Sequence, residues 1–207
     1  MPHTVSKTVF EFEELSDSAK ETARDWFREG ALDYDWWEYI YEDAATIAEM
    51  MGIELATKPV KLMGGGTRQD PCIYFSGFAR QGDGACFEGY YSYAKGSAKA
   101  VKSHAPQDEE LHRIVKGLQE CQRRAFYTLT ASIRQTGHYS HSRSMTVNAE
   151  SERGDCDEAT LYELLVDFAD WIYKRLDAEH DYRMSDEAVD EDIQANEYEF
   201  EEDGSRA

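Results

Sequence analysis

Two runs near the middle of the chain alternate so regularly that they fix the kind of sheet it can build. Tyr127, Leu129, Ala131 and Ile133 fall on one face of an extended strand, with Thr128, Thr130, Ser132 and Arg134 on the other. The next run repeats the plan, with Met145, Val147 and Ala149 opposite Ser144, Thr146 and Asn148. Side chains along a strand point alternately to opposite faces, so each run has one apolar and one hydroxyl-rich face. That pattern belongs to an antiparallel sheet covered by helices on one side only. Gly137–Ser142 is the turn between the two runs. Two more strand-like runs, Cys72–Arg80 and Ala85–Tyr93, are joined by Gln81-Gly82-Asp83-Gly84, a hairpin signal.

Helical periodicity supplies the cover. Ser16 is placed to cap a helix whose face holds Ala19, Ala23, Trp26 and Phe27 and which stops at Gly30. A second helix is expected from Trp36 to Met51, and a third from Pro106 to Arg124 with Leu111, Ile114, Leu118 and Cys121 on one face. The strongest stripe runs through Asp157–Glu179, where Leu161, Leu165, Phe168, Ile172 and Leu176 recur at helical spacing. Ser185 opens a shorter acidic helix to about Asn196. Residues 56–71 read as a connection holding a short strand at Pro59–Met63.

The two ends share a plan. Phe10-Glu11-Phe12-Glu13 and Glu197–Glu201 both alternate aromatic and acidic residues beside a Ser-Asp-capped helix. These end strands are expected either to extend the central sheet, one at each edge, or to pair with each other. The expectation is therefore an α+β fold in a single domain, residues 1–207, with an antiparallel sheet and helices packed mainly on one face. Its acidic, helix-rich N-terminal part covers about 1–55, its sheet-rich middle about 56–150 and its acidic, helical C-terminal part about 151–207.

Charge divides the same way. The chain has 42 acidic and 22 basic residues in 207, a net charge of −20, and thirteen Tyr, nine Phe and four Trp are enough to bury a core. Residues 1–60 carry −9, 61–150 carry +4, 151–180 carry −6 and 181–207 carry −9. Such a charge excludes a chain that grips duplex DNA through Lys and Arg. No apolar run approaches a membrane span and the N-terminus lacks a secretory pattern, so a soluble intracellular chain is the default. Cys72, Cys86, Cys121 and Cys156 are widely spaced without a CxxC pair and read as reduced thiols, one or two of them in the core, rather than metal ligands.

Chemical motifs are sparse. Gly82-Asp83-Gly84 lacks the Lys-Ser/Thr of a phosphate loop, and no GxSxG is present. His138 and His141 form a close pair, but three positions apart on a strand they face opposite sides. Asp33-Tyr34-Asp35 with Glu38 and Glu42 lacks the turn glycine of a calcium loop. No metal and no cofactor are expected.

The feature that stands out is the aromatic-acidic patch of Trp26, Phe27, Tyr34, Trp36, Trp37, Tyr39 and Tyr41. Exposed aromatics ringed by charge mark protein interfaces, so Asp33, Tyr34, Asp35, Trp37, Glu38, Tyr39, Tyr41 and Glu42 are the candidate partner-binding residues. A core helix with amphipathic tyrosines at its rim explains the same residues equally well. An alternative small-ligand-binding or metal-dependent enzymatic site uses the polar sheet face, with Arg80, Thr130, Arg134, His138 and His141.

ELSDSAKETARDWF, DYDWWEYIYEDA, IYFSGFARQGDGACFEGYYSY, DEELHRI and SDEAVDEDIQANEYEF resemble a family of roughly 200-residue phage and prophage proteins commonly labelled "antitoxin of toxin–antitoxin stability system". Where Ala79-Arg80 stand, that pattern has an aromatic and a small polar residue. The resemblance implies a phage-encoded protein acting in the bacterial cytoplasm and carries no catalytic residues. With the charge, the expectation is a non-enzymatic acidic binding protein, antitoxin-like or an anti-defence inhibitor. Its partner would be a basic nuclease or nucleic-acid-binding effector, and nucleic-acid mimicry is the sharpest form of the idea. Self-association through the end strands is a third reading.

Overall fold

The computed structural model describes residues 7–154 and 157–207. The reading of Cys156 as a free thiol falls outside them. Along the chain lie β1 (Phe10–Glu11), α1 (Asp17–Gly30), α2 (Glu38–Met51), β2 (Ile53–Leu55), β3 (Thr57–Lys61), β4 (Thr67–Pro71), β5 (Ile73–Ser76) and β6 (Gly84–Phe87). After these come β7 (Gly89–Tyr91), α3 (Ser97–His104), α4 (Glu109–Arg124), β8 (Leu129–Gln135), β9 (Met145–Ser151), α5 (Glu158–Met184), α6 (Asp186–Ala195) and β10 (Glu199–Phe200). Helices and antiparallel sheets together make this an α+β fold. The chain divides into two compact units, a central one of Trp37–Leu176 and a terminal one made from the residues up to Trp36 together with Asp177–Ala207.

In the central unit the alternating runs build a four-stranded antiparallel sheet in the order β2-β7-β8-β9. Ile53, Tyr91, Leu129, Ala131, Ile133, Met145 and Val147 are buried, whereas Tyr90, Arg134, Thr146 and Asn148 are exposed. Core side chains come from α2 (Ile40, Ile47), α4 (Leu111, Ile114, Leu118) and α5 (Leu161, Leu165, Phe168). Burying each such side chain contributes roughly 1.5–3 kcal/mol. Tyr91 donates its hydroxyl to the Leu118 carbonyl at 3.3 Å, and the Phe87 and Phe168 rings meet edge-on at 5.6 Å.

The expected 85–93 strand is split at Glu88. Its first half pairs with β5 and its second with β2 and β8, so one run serves two sheets. At the switch, Ala56, Cys72 and Glu88 are joined in a ring of backbone bonds, Ala56 N to Glu88 O, Cys72 N to Ala56 O and Glu88 N to Cys72 O. The 56–71 connection is itself a hairpin, β3 against β4, with Leu62 and Met63 exposed beyond it.

In the terminal unit β1 pairs antiparallel with β10, Phe10 opposite Phe200 and Glu11 opposite Glu199. The end strands thus pair with each other. Beneath them Phe12, Leu15, Ala19 and Ala23 pack with Val189, Ile193 and Phe200 of the other chain end. Ser16 caps α1 by accepting from Ala19 N at 3.3 Å, and Ser185 caps α6 by accepting from Ala188 N at 3.3 Å.

Candidate functional site

The terminal unit holds a groove of about 570 Å³ lined by Trp26, Phe27, Glu29, Gly30, Ala31, Tyr34, Asp192, Asn196 and Tyr198. Its position follows from two helix ends. α1 stops at Gly30 and brings Trp26, Phe27 and Glu29 to the last turn, and α6 stops at Ala195 with Asp192 in its own last turn. Helix C-termini carry partial negative charge, so two such ends and two carboxylates border one concavity.

Tyr198 reaches the groove through a backbone device. After the cap residue Asn196, Glu197 adopts a left-handed conformation, φ +52°. The Glu197 N–H then donates to Gln194 O at 3.0 Å and the Tyr198 N–H to Ile193 O at 3.3 Å. That pair of bonds is a Schellman closure, and it turns the chain so that Tyr198 meets Trp26 edge-on at 5.3 Å and Phe27 at 6.2 Å.

Guanidinium groups of the chain itself already rest on these rings. Arg206 lies 5.6 Å from the Trp26 centroid and 4.9 Å from that of Tyr198, and Arg183 lies 5.5 Å from that of Tyr34. Rings of this kind attract cations through their negative faces.

The unit's electrostatics are lopsided. It contains 22 acidic and 6 basic residues, net −16, whereas Trp37–Leu176 contains 20 and 16, net −4. All six cations are engaged. Lys7 pairs with Glu201 at 2.8 Å, Lys20 sits over Phe12, Arg28 pairs with Asp25 and Asp186, and Arg183 pairs with Glu179 at 2.7 Å. Arg24 bridges α1 and α6 with a two-pronged contact to Asp190, 2.7 Å on each prong, and that carboxylate raises its pKa further. Arg206 is held by the aromatic pair and by the Glu199 carbonyl. Among the described residues Glu29 and Asp192 have no basic side chain within 4.0 Å.

The candidates drawn from the sequence fall in several places. Asp33, Tyr34 and Asp35 belong to the terminal unit, exposed, with Tyr34 lining the groove. Trp37, Glu38, Tyr39, Tyr41 and Glu42 belong to the central unit at the start of α2. There Trp37 and Tyr41 pack edge-on against Phe75 at 5.6 and 6.5 Å, and burial pushes the Tyr41 hydroxyl pKa up. Glu38 pairs with Arg68, while Tyr39 and Glu42 are exposed.

On the polar sheet face Thr130 and Arg134 share a side of β8, four residues or about 13 Å apart. Arg80 lies in the β5–β6 turn, where its N–H donates to Asp83 at 2.7 Å. His138 is exposed between β8 and β9. His141 is committed to structure, its Nδ1 accepting the Arg143 backbone N–H at 3.0 Å while its backbone N–H donates to Ser144 Oγ at 3.3 Å. Among the described residues no three His, Cys, Asp or Glu side chains converge as metal ligands, and no helix is long and apolar enough to cross a membrane. Cys72, Cys86 and Cys121 are buried free thiols.

The sequence pattern singled out Trp26, Phe27 and Tyr34 but missed Asp192, Asn196 and Tyr198, which stand over 150 residues away. The signal that joins them is the shared aromatic-acidic alternation of the two chain ends.

A family model described as a domain of unknown function, DUF8835, matches residues 36–186. No curated protein and no solved structure matches the chain. The family match takes in 151 of the 207 residues, and the chain belongs to that family.

Proposed function

We propose that this DUF8835 member is a non-enzymatic binding protein whose acidic terminal unit engages a basic protein partner. The role would be that of an antitoxin or an anti-defence inhibitor working in a bacterial cytoplasm. The observation that carries the reading is the partition of charge. The terminal unit has 22 acidic residues against six basic ones, every one of which is already engaged within the unit. Its surplus of 16 negative charges therefore has no internal counterion. A surface of one sign accelerates encounter with a partner of the other and suppresses wrong partners. It also makes association salt-dependent, because exposed charges are screened within about 10 Å at 0.1 M salt.

The test is affinity capture from a bacterial lysate at roughly 50 mM and roughly 500 mM NaCl. It compares the intact chain with a variant carrying Glu13→Lys, Glu191→Lys and Glu202→Lys, three exposed positions without an ion pair among the described residues. The expected result is a basic protein held by the intact chain at low salt and lost both at high salt and with the variant. Capture that is indifferent to salt and to charge reversal, or no basic protein at all, overturns the reading.

A further inference from the structure

We propose that the groove between the C-terminal ends of α1 and α6 is a receptor for an arginine side chain of the basic partner, an inference that rests on the binding function proposed above. The groove combines the two things a guanidinium needs at once. Its planar, weakly hydrated cation stacks on aromatic rings, and its five N–H groups form a fork that matches carboxylates. Trp26, Phe27 and Tyr198 are held in mutual contact at 5.3–6.3 Å and supply the rings. Glu29 and Asp192 supply carboxylates, both exposed and both without a basic partner among the described residues. The carbonyl ends of two helices add negative potential of the same sign. Tyr34, which also lines the groove, already carries the guanidinium of Arg183, and the Trp26–Tyr198 pair carries that of Arg206. The chain's own arginines thus display the contact that the groove offers to a partner. A lysine ammonium is a compact, strongly hydrated charge that fits this combination less well.

The experiment uses the full chain and two fluorescent hexapeptides of equal charge, one of arginine and one of lysine, with affinities measured at low salt. The arginine peptide is expected to bind about two- to fivefold more tightly, because only its N–H fork can span the groove's carboxylates while its plane rests on the rings. Replacing Glu29→Gln and Asp192→Asn together is expected to erase that preference. A control pair, Glu13→Gln with Glu202→Gln, removes the same charge from exposed positions outside the groove lining and is expected to retain it. All four positions are exposed, so cooperative melting at a Tm no lower than the parent's verifies that the variants fold. Equal affinity for both peptides, or an arginine preference lost equally in the two double variants, overturns the arginine groove while leaving the acidic-surface reading intact. Failure of both peptides to bind the intact chain overturns the two proposals together.

Discussion

Glu197 occupies a conformation that glycine takes at no steric cost. A residue with a Cβ in the left-handed region loses roughly 1–2 kcal/mol, and the position after a helix cap is where glycine most often stands. Glu197→Gly is therefore expected to raise stability, by about 1 kcal/mol or less once the added freedom of the unfolded chain is counted. Urea unfolding checks this, and a lower midpoint would mean that the Glu197 side chain makes a contribution larger than the strain. A second residue-scale consequence concerns Cys86, whose pKa burial pushes up to about 11 from an ordinary value near 9. A raised thiol pKa means that the fold disfavours thiolate. Its contribution to stability is thus whole below pH 9 and lost as the pH climbs through 11. Cys86→Ala is expected to lower stability at neutral pH by opening a cavity, yet to flatten the decline between those limits. A decline as steep as in the parent assigns it to other groups, among them Tyr74, raised to about 12. A left-handed glutamate leaves no mark in a hydropathy pattern, and although cysteines are often buried, nothing local says that Cys86 is one of them.

At the scale of elements, much of the architecture was written in periodicity. The caps at Ser16 and Ser185, the end of α2 at Gly52, the β5–β6 hairpin and the one-sided β8–β9 pair follow from local pattern. α3 did not, because eight residues with buried Ser97 and Val101 show too few turns to declare a stripe. Of the β3–β4 hairpin only one strand, expected at Pro59–Met63, was read, since all of its residues are exposed or half-buried and no apolar face announces the second. The pairing of β1 with β10 was one of two open choices, because alternation identifies a strand but not its partner. What closes that unit is the C-terminal turn. Gly204 has φ +87°, and a Cβ there would lie 2.0 Å from the Ala19 carbonyl oxygen of α1. Gly65 has φ +84° with nothing within 4 Å. The two therefore separate backbone strain from steric exclusion. Gly65→Ala is expected to cost about 1 kcal/mol and Gly204→Ala clearly more, because the turn must move off α1. Equal losses in chemical denaturation would show that the close approach of Gly204 to Ala19 yields without cost.

For the whole molecule the decisive quantity is where the charge lies after folding. Counted along the sequence, the acidity belongs to two separate ends, but folded it belongs to one unit with net −16, while the other unit carries −4. The sequence count came close because the ends are consecutive stretches, and it stopped short because nothing local says that residue 10 pairs with residue 200. Concentrating like charge destabilises the compact state through self-repulsion, and the six internal cations offset only part of it. Screening relieves the remainder, so added salt is expected to stabilise the free protein, by roughly 2–4 °C in Tm for each kcal/mol relieved. The same salt is expected to weaken partner binding. These opposite signs distinguish surplus repulsion from internal pairing as the dominant electrostatic effect. Melting curves between roughly 20 mM and 500 mM NaCl decide it, since a Tm that falls with salt would mean that the Arg24–Asp190 and Lys7–Glu201 pairs outweigh the repulsion. In that case self-repulsion among the surplus carboxylates is weak, and the argument that a basic partner relieves it is lost.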